Sequence, residues 1–463
     1  MPDTGAQHVA AAPVRGSATA SRPKRLLAFG INYAPEPTGI ALNTTWLSEG
    51  LVRSGWEVTV VAGVPHYPSW RPQRAPRCSV NHGVRVIRRR HYVPRRPSTL
   101  SRGAYELSWL ASALLTLPPG RNVDLVVGVV PSLGGAALAA AAATRYRIPC
   151  ALLFQDLVGR AAALSGFAGA DRVAGPVHAV ETGLARRASR IGIVAEGFRD
   201  YFLEAGVDPA RIDRVRNPAR LGPIREPRQS VRAKLGWTDG EFVALHSGSM
   251  GYKQGLETVI RAAALASGTR DFRFVLQGDG NRQPELAALA RGLALGNVDF
   301  LPIATQEEFP SILAAADALL LCQRGSVCNM SMPAKLASYF AAGVPVIAAV
   351  AQEDETAREI EAARAGLVVE PERPDLLLAA CKRLRRDPRE AARLGAAGRD
   401  WARRHLSEEA ALEGMTRFLE AAALAGRPAP RGEDASDAAV WVRRPDDRVR
   451  TAQSSPASRE VPL

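Results

Sequence analysis

The stretch EFVALHSGSMGYKQGLETVI, residues 241–260, joins a strand-like run, a glycine-rich turn and a helix-like segment. Residues 242–245 are apolar and of strand length, and helical periodicity begins near Gln254, just after Lys253. A helix start favours negative charge, because its first N–H groups lack partners and the helix dipole is positive there. The stretch therefore predicts an anion site to which Lys253 adds a full positive charge. An ordinary turn with a solvated lysine also fits these residues.

Lysine is scarce in this chain, with five lysines against 55 arginines. Two of them, Lys253 and Lys335, lie at turns that lead into helical segments. Lys335 is expected in the first turn of its helix, where a cation conflicts with the helix dipole and a bound anion would remove the conflict. This pattern favours a phosphate at Lys335, and a lysine that simply points into solvent is the alternative.

Strand-like runs alternate with helical segments on both sides of this stretch, which predicts the α/β class with parallel sheets covered by helices. The alternation stops around Asn217, where prolines are frequent, and then resumes. We therefore predict two doubly wound, Rossmann-like domains that face each other across a cleft, where ligands lie beyond the carboxyl ends of the strands. The predicted parts are a disordered tail (1–23), a first Rossmann-like domain (24–217), a second Rossmann-like domain (218–400), helices that pack back toward the first domain (401–424) and a second disordered tail (425–463).

Composition limits the possible functions. The chain has 463 residues and a net charge of +14, which invites a nucleic-acid interpretation. The arginines are spread through an Ala/Arg/Gly-rich chain, so a general compositional bias explains most of the charge. Five cysteines without a CxxC pair argue against a disulfide framework and a structural zinc site, and they favour the cytoplasm.

Three further loops follow strand-like runs. Asp156 follows the run 151–154, where a carboxylate could orient a hydroxyl or accept a proton, although it could equally cap the next helix. The turn 35–39 ends at Gly39, where the next helix opens, and a plain turn explains it as well. The loop 277–280 contains Gly278 in a GxG pattern, which a tight turn also explains.

Taken in order, these motifs resemble the family 4 glycosyltransferases, which have the GT-B fold and transfer sugars with retention. The resemblance covers residues 25–424 and rests on GINYAPEPTGIA, VPHYPSW, the pair Gln155-Asp156, VAEGFRDYFLEAGV before Asn217-Pro218, HSGSMGYKQGLE, VLQGDG and MPAKLASYFAAGVPVI. Within that family the chain looks most like the enzymes of colanic-acid-type exopolysaccharide synthesis. The resemblance implies a nucleotide-diphosphate sugar as donor substrate, and neither a metal nor a cofactor; the sequence has no DxD motif.

The resemblance also assigns roles to the domains and to single residues. It implies that the domain 24–217 lies on the acceptor side and that the domain 218–400 binds the nucleotide-sugar donor. Lys253 and Lys335 would bind the donor diphosphate, and Asp156 would meet the transferred sugar or the acceptor hydroxyl. The remaining donor-site residues would be Gly39, Gly248, Ser249, Gly278, Asn329, Ser331, Pro333 and Ser338.

The chain departs from the family pattern at three positions. Ser249 stands where many members have an arginine, and the second of the paired glutamates falls on Ser338. The first of those glutamates falls near Cys328 or Asn329. We expect Asn329, Ser331 and backbone amides to make the sugar contacts that the missing glutamates usually make.

A cluster of arginines between Arg85 and Arg102 precedes an apolar segment, 105–117. Basic residues beside an amphipathic segment suit an anionic membrane surface or a lipid-diphosphate acceptor. A solvated strand edge followed by a core helix is the alternative. We expect a cytoplasmic enzyme with a saccharide or lipid-linked acceptor, which this segment could bring to the inner face of the cell membrane.

Three other functions fit parts of the sequence. A GT-B nucleotide-sugar epimerase would share the fold and the donor. A dinucleotide oxidoreductase would share the doubly wound sheets, but no strand is followed by GxGxxG with an acidic residue about twenty positions on. A nucleic-acid-binding protein would need basic and aromatic residues interleaved on one face, and only the region 85–102 comes near this pattern.

Overall fold

The structure is a computed structural model that describes residues 22–95, 98–120, 122–163, 170–268, 271–328 and 333–425. The predicted tails, 1–23 and 425–463, lie outside these residues except at positions 22, 23 and 425. Asn329 and Ser331 of the predicted donor site also lie outside them.

In the described part of the first domain, eight strands form one sheet in the order β3-β4-β2-β1-β5-β6-β7-β8, parallel except at the β3 edge. The strands are β1 (Arg25–Phe29), β2 (Glu57–Gly63), β3 (Cys78–Asn81), β4 (Val84–Arg89), β5 (Leu125–Val130), β6 (Cys150–Phe154), β7 (Arg190–Ile193) and β8 (Ile212–Arg214). The helices are α1 (Gly39–Arg53), α2 (Thr99–Leu114), α3 (Leu133–Tyr146), α4 (Val158–Ala163), α5 (Ala170–Arg187) and α6 (Arg199–Glu204).

The second domain is built in the same way. Its described strands form a six-stranded parallel sheet in the order β11-β10-β9-β12-β13-β14. These are β9 (Phe242–Ser247), β10 (Phe272–Gln277), β11 (Val298–Leu301), β12 (Ala318–Cys322), β13 (Val346–Ala349) and β14 (Gly366–Val369). The helices are α7 (Arg228–Lys234), α8 (Glu257–Leu265), α9 (Gln283–Gly292), α10 (Phe309–Ala315), α11 (Ala334–Ala342), α12 (Glu355–Ala363), α13 (Pro374–Arg386) and α14 (Pro388–His405).

Burial explains why these strands are nearly continuous apolar runs. Every residue of β5, β6 and β12 is buried, because helices cover both faces of each sheet. The outer strand β3, in contrast, is mostly exposed and polar. The candidate site residues lie on loops that leave the carboxyl ends of β1, β6, β9, β10 and β12.

The chain returns to the first domain at its end. The helix α15 (Glu408–Ala425) buries Met415, Phe418 and Leu419 in the core of the first domain. The predicted boundary between 400 and 401 falls inside the continuous helix α14. The chain leaves the second domain after His405, where the carbonyl of Leu406 accepts a hydrogen bond from Ala219 N at 2.7 Å.

Charged side chains join the two domains near the two segments in which the chain passes from one domain to the other. The guanidinium of Arg214, on β8, lies 2.8 Å from the carboxylate of Glu355 and 2.6 Å from that of Glu359. Both glutamates belong to α12 and are buried. Buried ion pairs of this kind resist separation strongly, because opening the contact would leave an unpaired charge in a low-dielectric region.

Candidate active site

The loop after β9 holds Lys253, but not as a helix start. The prediction of a helix from near Gln254 is wrong: a 3-10 turn covers Tyr252–Gln254, and α8 begins only at Glu257. Gly255 separates the two with a left-handed φ of 56°, a conformation that ends a helical turn. Lys253 is therefore exposed on the turn.

The start of α8 already has its own negative charge. Glu257 lies in its first turn, and its carboxylate accepts hydrogen bonds from Arg324 at 3.0 Å and from Arg282 at 2.8 Å. An incoming anion would meet this carboxylate at α8. The groups at this loop that can bind an anion are therefore the nearby lysines.

The GxG loop after β10 packs directly against the loop after β9. Gly248 N donates to the Gln277 carbonyl and Met250 N donates to the Asp279 carbonyl, both at 2.9 Å. A side-chain carbon at Gly278 would lie 2.1 Å from the carbonyl oxygen of Gly248, so only glycine permits this contact. Gly278 is thus more than a tight turn, because it fixes the position of the loop that carries Gly248 and Ser249.

Lys335 joins this loop from the other side. It is the second residue of α11, after Pro333 at the N-cap, as the sequence predicted. Its Nζ atom lies 3.3 Å from Nε2 of His246, the fifth residue of β9. A side-chain carbon at Gly248 would lie 3.0 Å from the same Nζ, so the lysine reaches over the glycine. Lys335 therefore does not simply point into solvent.

Burial sets the charge states of this pair. Desolvation lowers the pKa of Lys335 from 10.5 to about 8, so the lysine remains mostly cationic at neutral pH. The fully buried imidazole of His246 has a pKa well below its usual value, first because of burial and then because of the charge on Lys335. A neutral His246 accepts a hydrogen bond from the lysine ammonium at Nε2, while Nδ1 lies 3.3 Å from the Leu320 carbonyl.

A buried tyrosine fixes α11 to β9. The hydroxyl of Tyr339 receives a hydrogen bond from Ser247 N at 2.9 Å and lies 3.1 Å from the Ser247 carbonyl. Tyr339 and Lys335 lie one turn apart on α11, so this contact also fixes the height of Lys335 above the loop. Ser338 follows Lys335 by three residues and is half-buried, and Ser249 is exposed.

The sequence interpretation missed both His246 and Tyr339. A signal for the first was present, because a histidine near the end of the apolar strand FVALHS is unusual for a buried position. Tyr339 gave no such signal, since an aromatic residue within the apolar face of a helix is common.

Asp156 lies in the first domain and is coupled to Lys253 in the second. Burial raises the pKa of its carboxyl from 3.8 to about 6, while the positive charge of Lys253 acts in the opposite direction. The two side chains are therefore within electrostatic reach across the cleft. In the described part of the chain, no hydrogen bond to the carboxylate of Asp156 is formed, so this group is available to a ligand.

The neighbouring amide of Gln155 connects the loop to two other segments. Asn217, at the junction between the two domains, donates to Oε1 of Gln155 at 2.6 Å. Asn43 of α1 donates to the same oxygen at 3.4 Å. Gly39 opens α1 on the same edge of the sheet, where Thr38 caps the helix by accepting from Ala41 N. Gly39 itself is exposed, and a side-chain carbon there would meet no atom within 4 Å.

Two kinds of group are absent from the described part of this site. Among the described residues, no arginine guanidinium forms a hydrogen bond with Ser249. Arg324 donates to the Tyr252 carbonyl on the turn and is paired with Glu257 and Glu372. Across the part of the chain that the structure describes, no group of three His, Cys, Asp or Glu side chains is placed to hold a metal ion.

Comparisons with known proteins agree on the family. Residues 38–218 match the glycosyl transferase 4-like domain, and residues 227–401 match the glycosyl transferases group 1. WcaI of Escherichia coli strain K12, which is named as a colanic acid biosynthesis glycosyl transferase, is 30% identical over 333 residues. That match covers 69% of this chain and 81% of WcaI.

Solved structures share the fold at low sequence identity. Sucrose-phosphate synthase from Thermosynechococcus elongatus aligns with a TM-score of 0.67 and 18% identity, over 86% of this chain and 98% of that one. HepE from Anabaena, solved with UDP, aligns with a TM-score of 0.63 and 17% identity, over 86% of this chain and 99% of that one. The chain therefore belongs to the glycosyltransferases in which a glycosyl transferase 4-like domain precedes a group 1 domain, and it has their GT-B fold.

Proposed function

We propose that this glycosyltransferase moves a sugar, with retention and without a metal, from a nucleotide-diphosphate sugar to a saccharide acceptor in the synthesis of an exopolysaccharide or cell-envelope glycan. The observation that carries the proposal is the position of Lys335, which lies over Gly248 on the loop that also bears Lys253. Fixed cations beside this loop suit a diphosphate that leaves with increasing negative charge.

The leaving group determines what these side chains do. As the glycosidic bond breaks, charge accumulates on the diphosphate, and the ammonium groups of Lys335 and Lys253 stabilise it without moving. The contact with His246 holds Lys335 at the loop before the donor arrives, so little reorganisation is needed.

Asp156 has a role on the acceptor side of the cleft. With a pKa of about 6, its carboxylate is mostly ionised at neutral pH and is still basic enough to accept a hydrogen bond from an attacking hydroxyl. Its electrostatic coupling to Lys253 supports a position near the bond that breaks. The alternative role of Asp156 in helix capping is not supported, because the carboxylate of Glu181 caps α4.

The acceptor side also has a surface that suits a lipid-linked acceptor. The helix α2 buries Tyr105 and Trp109, while Leu107 is 65% exposed. Leu100, Leu114 and Leu115 are 84%, 46% and 85% exposed, and the first two are spaced by seven residues from Leu107 and share its face. We propose that this face contacts an anionic membrane surface.

The arginine cluster contributes only in part to that surface. Arg88 is buried, and its guanidinium donates to the carbonyls of Ala34 and Gly63, so it stabilises the loop after β1 instead. Arg89 donates to the Thr116 carbonyl. Arg85, Arg90, Arg95 and Arg102 remain exposed and suit anionic headgroups. None of the helices among the described residues is long and apolar enough to cross a bilayer.

Thermal denaturation with a panel of UDP-, GDP- and dTDP-sugars tests the proposal first, starting with UDP-glucose because HepE has been solved with it. The donor that stabilises the wild type should lose most of this effect in Lys335→Met. Transfer to a lipid-linked saccharide is then followed by nucleotide release, with and without EDTA, and the anomeric configuration of the product is read by NMR.

Each outcome of that assay discriminates between functions. Nucleotide release that depends on the acceptor and gives the donor's own anomeric configuration supports retaining transfer. Conversion of the donor sugar without an acceptor would instead support an epimerase. Loss of activity with EDTA, restored by a divalent cation, would contradict the metal-independent mechanism.

A further inference from the structure

A buried carboxylate from a different helix caps the segment that carries Asp156. The helix α4 begins at Val158, two residues after Asp156. Val158 N donates to Oε1 of Glu181 at 2.8 Å, and Gly159 N donates to Oε2 of the same side chain at 3.0 Å. Glu181 lies on α5 and is fully buried. It therefore performs the capping that Asp156 would otherwise perform.

Glu181 is itself held by Tyr201, and Tyr201 is held in turn by His178. The hydroxyl of Tyr201, on α6, donates to Oε2 of Glu181 in a short hydrogen bond. Nδ1 of His178 lies 2.9 Å from the same hydroxyl oxygen, and the two rings meet edge to face at 5.0 Å. Because the tyrosine proton is donated to Glu181, the ring nitrogen of His178 is the donor in its contact. Burial and the neighbouring Glu181 raise the pKa of Tyr201 above its usual value.

This arrangement requires a residue without a side chain at position 159. A side-chain carbon at Gly159 would lie 2.6 Å from the Tyr201 hydroxyl and 3.1 Å from Oε2 of Glu181. Any larger residue would therefore push the carboxylate away from the helix start. The first residues of α4, the Glu181 carboxylate and the Tyr201 hydroxyl are therefore joined by hydrogen bonds, starting two residues after Asp156.

We infer that Glu181, supported by Tyr201 and His178, is a positioning residue for sugar transfer: by capping α4 it keeps the Asp156 carboxylate free of backbone partners and directed at the acceptor hydroxyl. The inference rests on the proposed role of Asp156. Gln155 fixes the loop on its other side through Asn217, so the carboxylate has anchored neighbours in both chain directions.

A double-mutant cycle separates this role from simple stabilisation. Glu181→Gln keeps the size of the side chain but replaces one acceptor oxygen with an amide donor that faces a backbone N–H. We expect kcat to fall by about ten- to a hundredfold with the donor KM changed by less than about threefold, as for a misplaced reacting group. In the Asp156→Asn background the same change should cost less than about threefold, because the carboxylate that it positions is gone.

Tyr201→Phe removes the hydroxyl that holds Glu181 and is the second, milder variant. It should lower kcat less than Glu181→Gln does, with the same dependence on Asp156. Asp124→Asn is the matched control. It alters a carboxylate that accepts a backbone hydrogen bond, from Arg25 N at 2.9 Å, at the amino end of the central strand β5. The control should leave kcat unchanged.

Hydrogen exchange, measured by mass spectrometry on the substrate-free protein, tests the geometry without any assumption about activity. Glu181→Gln should accelerate exchange in peptides that contain Val158 and Gly159, and Asp124→Asn should not. Unchanged exchange would overturn the inference even if no donor were turned over. Faster exchange with normal kcat, or an equal loss of kcat in both Asp156 backgrounds, would overturn the positioning role. A normal rate in Asp156→Asn alone would overturn the proposed role of Asp156 and this inference with it.

Discussion

The ammonium of Lys335 and the imidazole of His246 are in contact, with Nζ 3.3 Å from Nε2. This contact joins the first turn of α11 to the end of β9, so the two donor-side loops form one site. It also explains why a lysine is stable at a helix start, where the dipole disfavours a cation. The neutral imidazole accepts a hydrogen bond from the ammonium, so Lys335 keeps the positive charge that binds an anion.

The pH dependence of kcat/KM for the donor should report the charge state of Lys335. A lysine is charged below its pKa, and burial brings that pKa down to about 8, so the cation is lost as the pH rises through this value. We expect kcat/KM for the donor to fall above about pH 8, and Lys335→Met to lower it by about a hundredfold or more at pH 7. Initial rates between pH 6 and 10 measure both effects.

Lys234→Met is the control for that experiment. Lys234 is the last residue of α7 and is paired with Glu226, and it belongs to neither of the loops that follow β9 and β10. Its profile should match that of the wild type. A wild-type rate that stays constant up to pH 10 would contradict the assignment.

Replacing His246 should move the same alkaline limb. His246→Phe removes the acceptor that favours the charged lysine, so the pKa of Lys335 should fall further, by about one unit. The alkaline limb should therefore shift to lower pH, with weaker donor binding already at pH 8. His82→Phe, at a 78% exposed side chain, is the matched change. A limb that stays in place in His246→Phe would show that the contact does not affect the charge of Lys335.

Gly248 should tolerate no side chain without loss of the donor. Its φ of 131° already disfavours other residues, and the added carbon of Gly248→Ala would lie 3.0 Å from Nζ of Lys335. We expect the donor dissociation constant to rise by about tenfold or more, since the lysine is displaced from the loop.

Gly236→Ala provides the comparison for strain alone, since Gly236 has a φ of 70° and open space around its Cα. It should lower the melting temperature and leave the donor dissociation constant unchanged. Calorimetric titration with the donor measures both variants, and equal donor affinity in the two would argue against a displaced Lys335.

The alternation of strands and helices was predictable because buried parallel strands are continuous apolar runs, as in the run 125–130. The strands β3 and β8 give no such signal in the sequence, for a physical reason. β3 is an exposed, polar edge strand, and β8 has only three residues, so neither carries an apolar run. Their pairing depends on neighbours that are distant in sequence.

The candidate site was predictable in its loops but not in its contacts. Lys335 was expected at a helix start, and the helix was found there. The turn after Lys253 was misassigned, because Gly255 interrupts the helical periodicity only through its left-handed backbone. The capping of α4 by Glu181 joins residues 22 and 23 positions apart, and no local pattern shows such a contact.

Asp156 should define the acid limb of the rate profile. A carboxylate accepts protons once the pH falls below its pKa, which burial raises to about 6, so activity should decline below this value. In Asp156→Asn we expect kcat to fall by about a hundredfold, with donor affinity nearly unchanged and the acid limb absent. Rates from pH 4.5 to 8 test this, with Asp213→Asn as a control at a surface pair with Arg190. An acid limb that persists in Asp156→Asn would belong to another group.

The exposed apolar face of α2 should bind anionic membranes. Leu107 and Leu114 are 65% and 46% exposed on a helix whose other side packs into the core, so their change to serine should not disturb folding. We expect the wild type to co-sediment with liposomes that contain phosphatidylglycerol at low salt and to be released as salt rises. Leu107→Ser/Leu114→Ser should lower the bound fraction by about tenfold, from the loss of buried apolar area.

Leu265 and Leu293 offer a matched control, because they are 58% and 45% exposed on α8 and after α9 in the second domain. Leu265→Ser/Leu293→Ser should co-sediment as the wild type does. Because the arginines Arg90, Arg95 and Arg102 supply the electrostatic part, liposomes of phosphatidylcholine alone should retain little protein. Equal binding of the two double variants would place the membrane contact elsewhere on the chain, and wild-type protein that stays in the supernatant at low salt would contradict the membrane proposal.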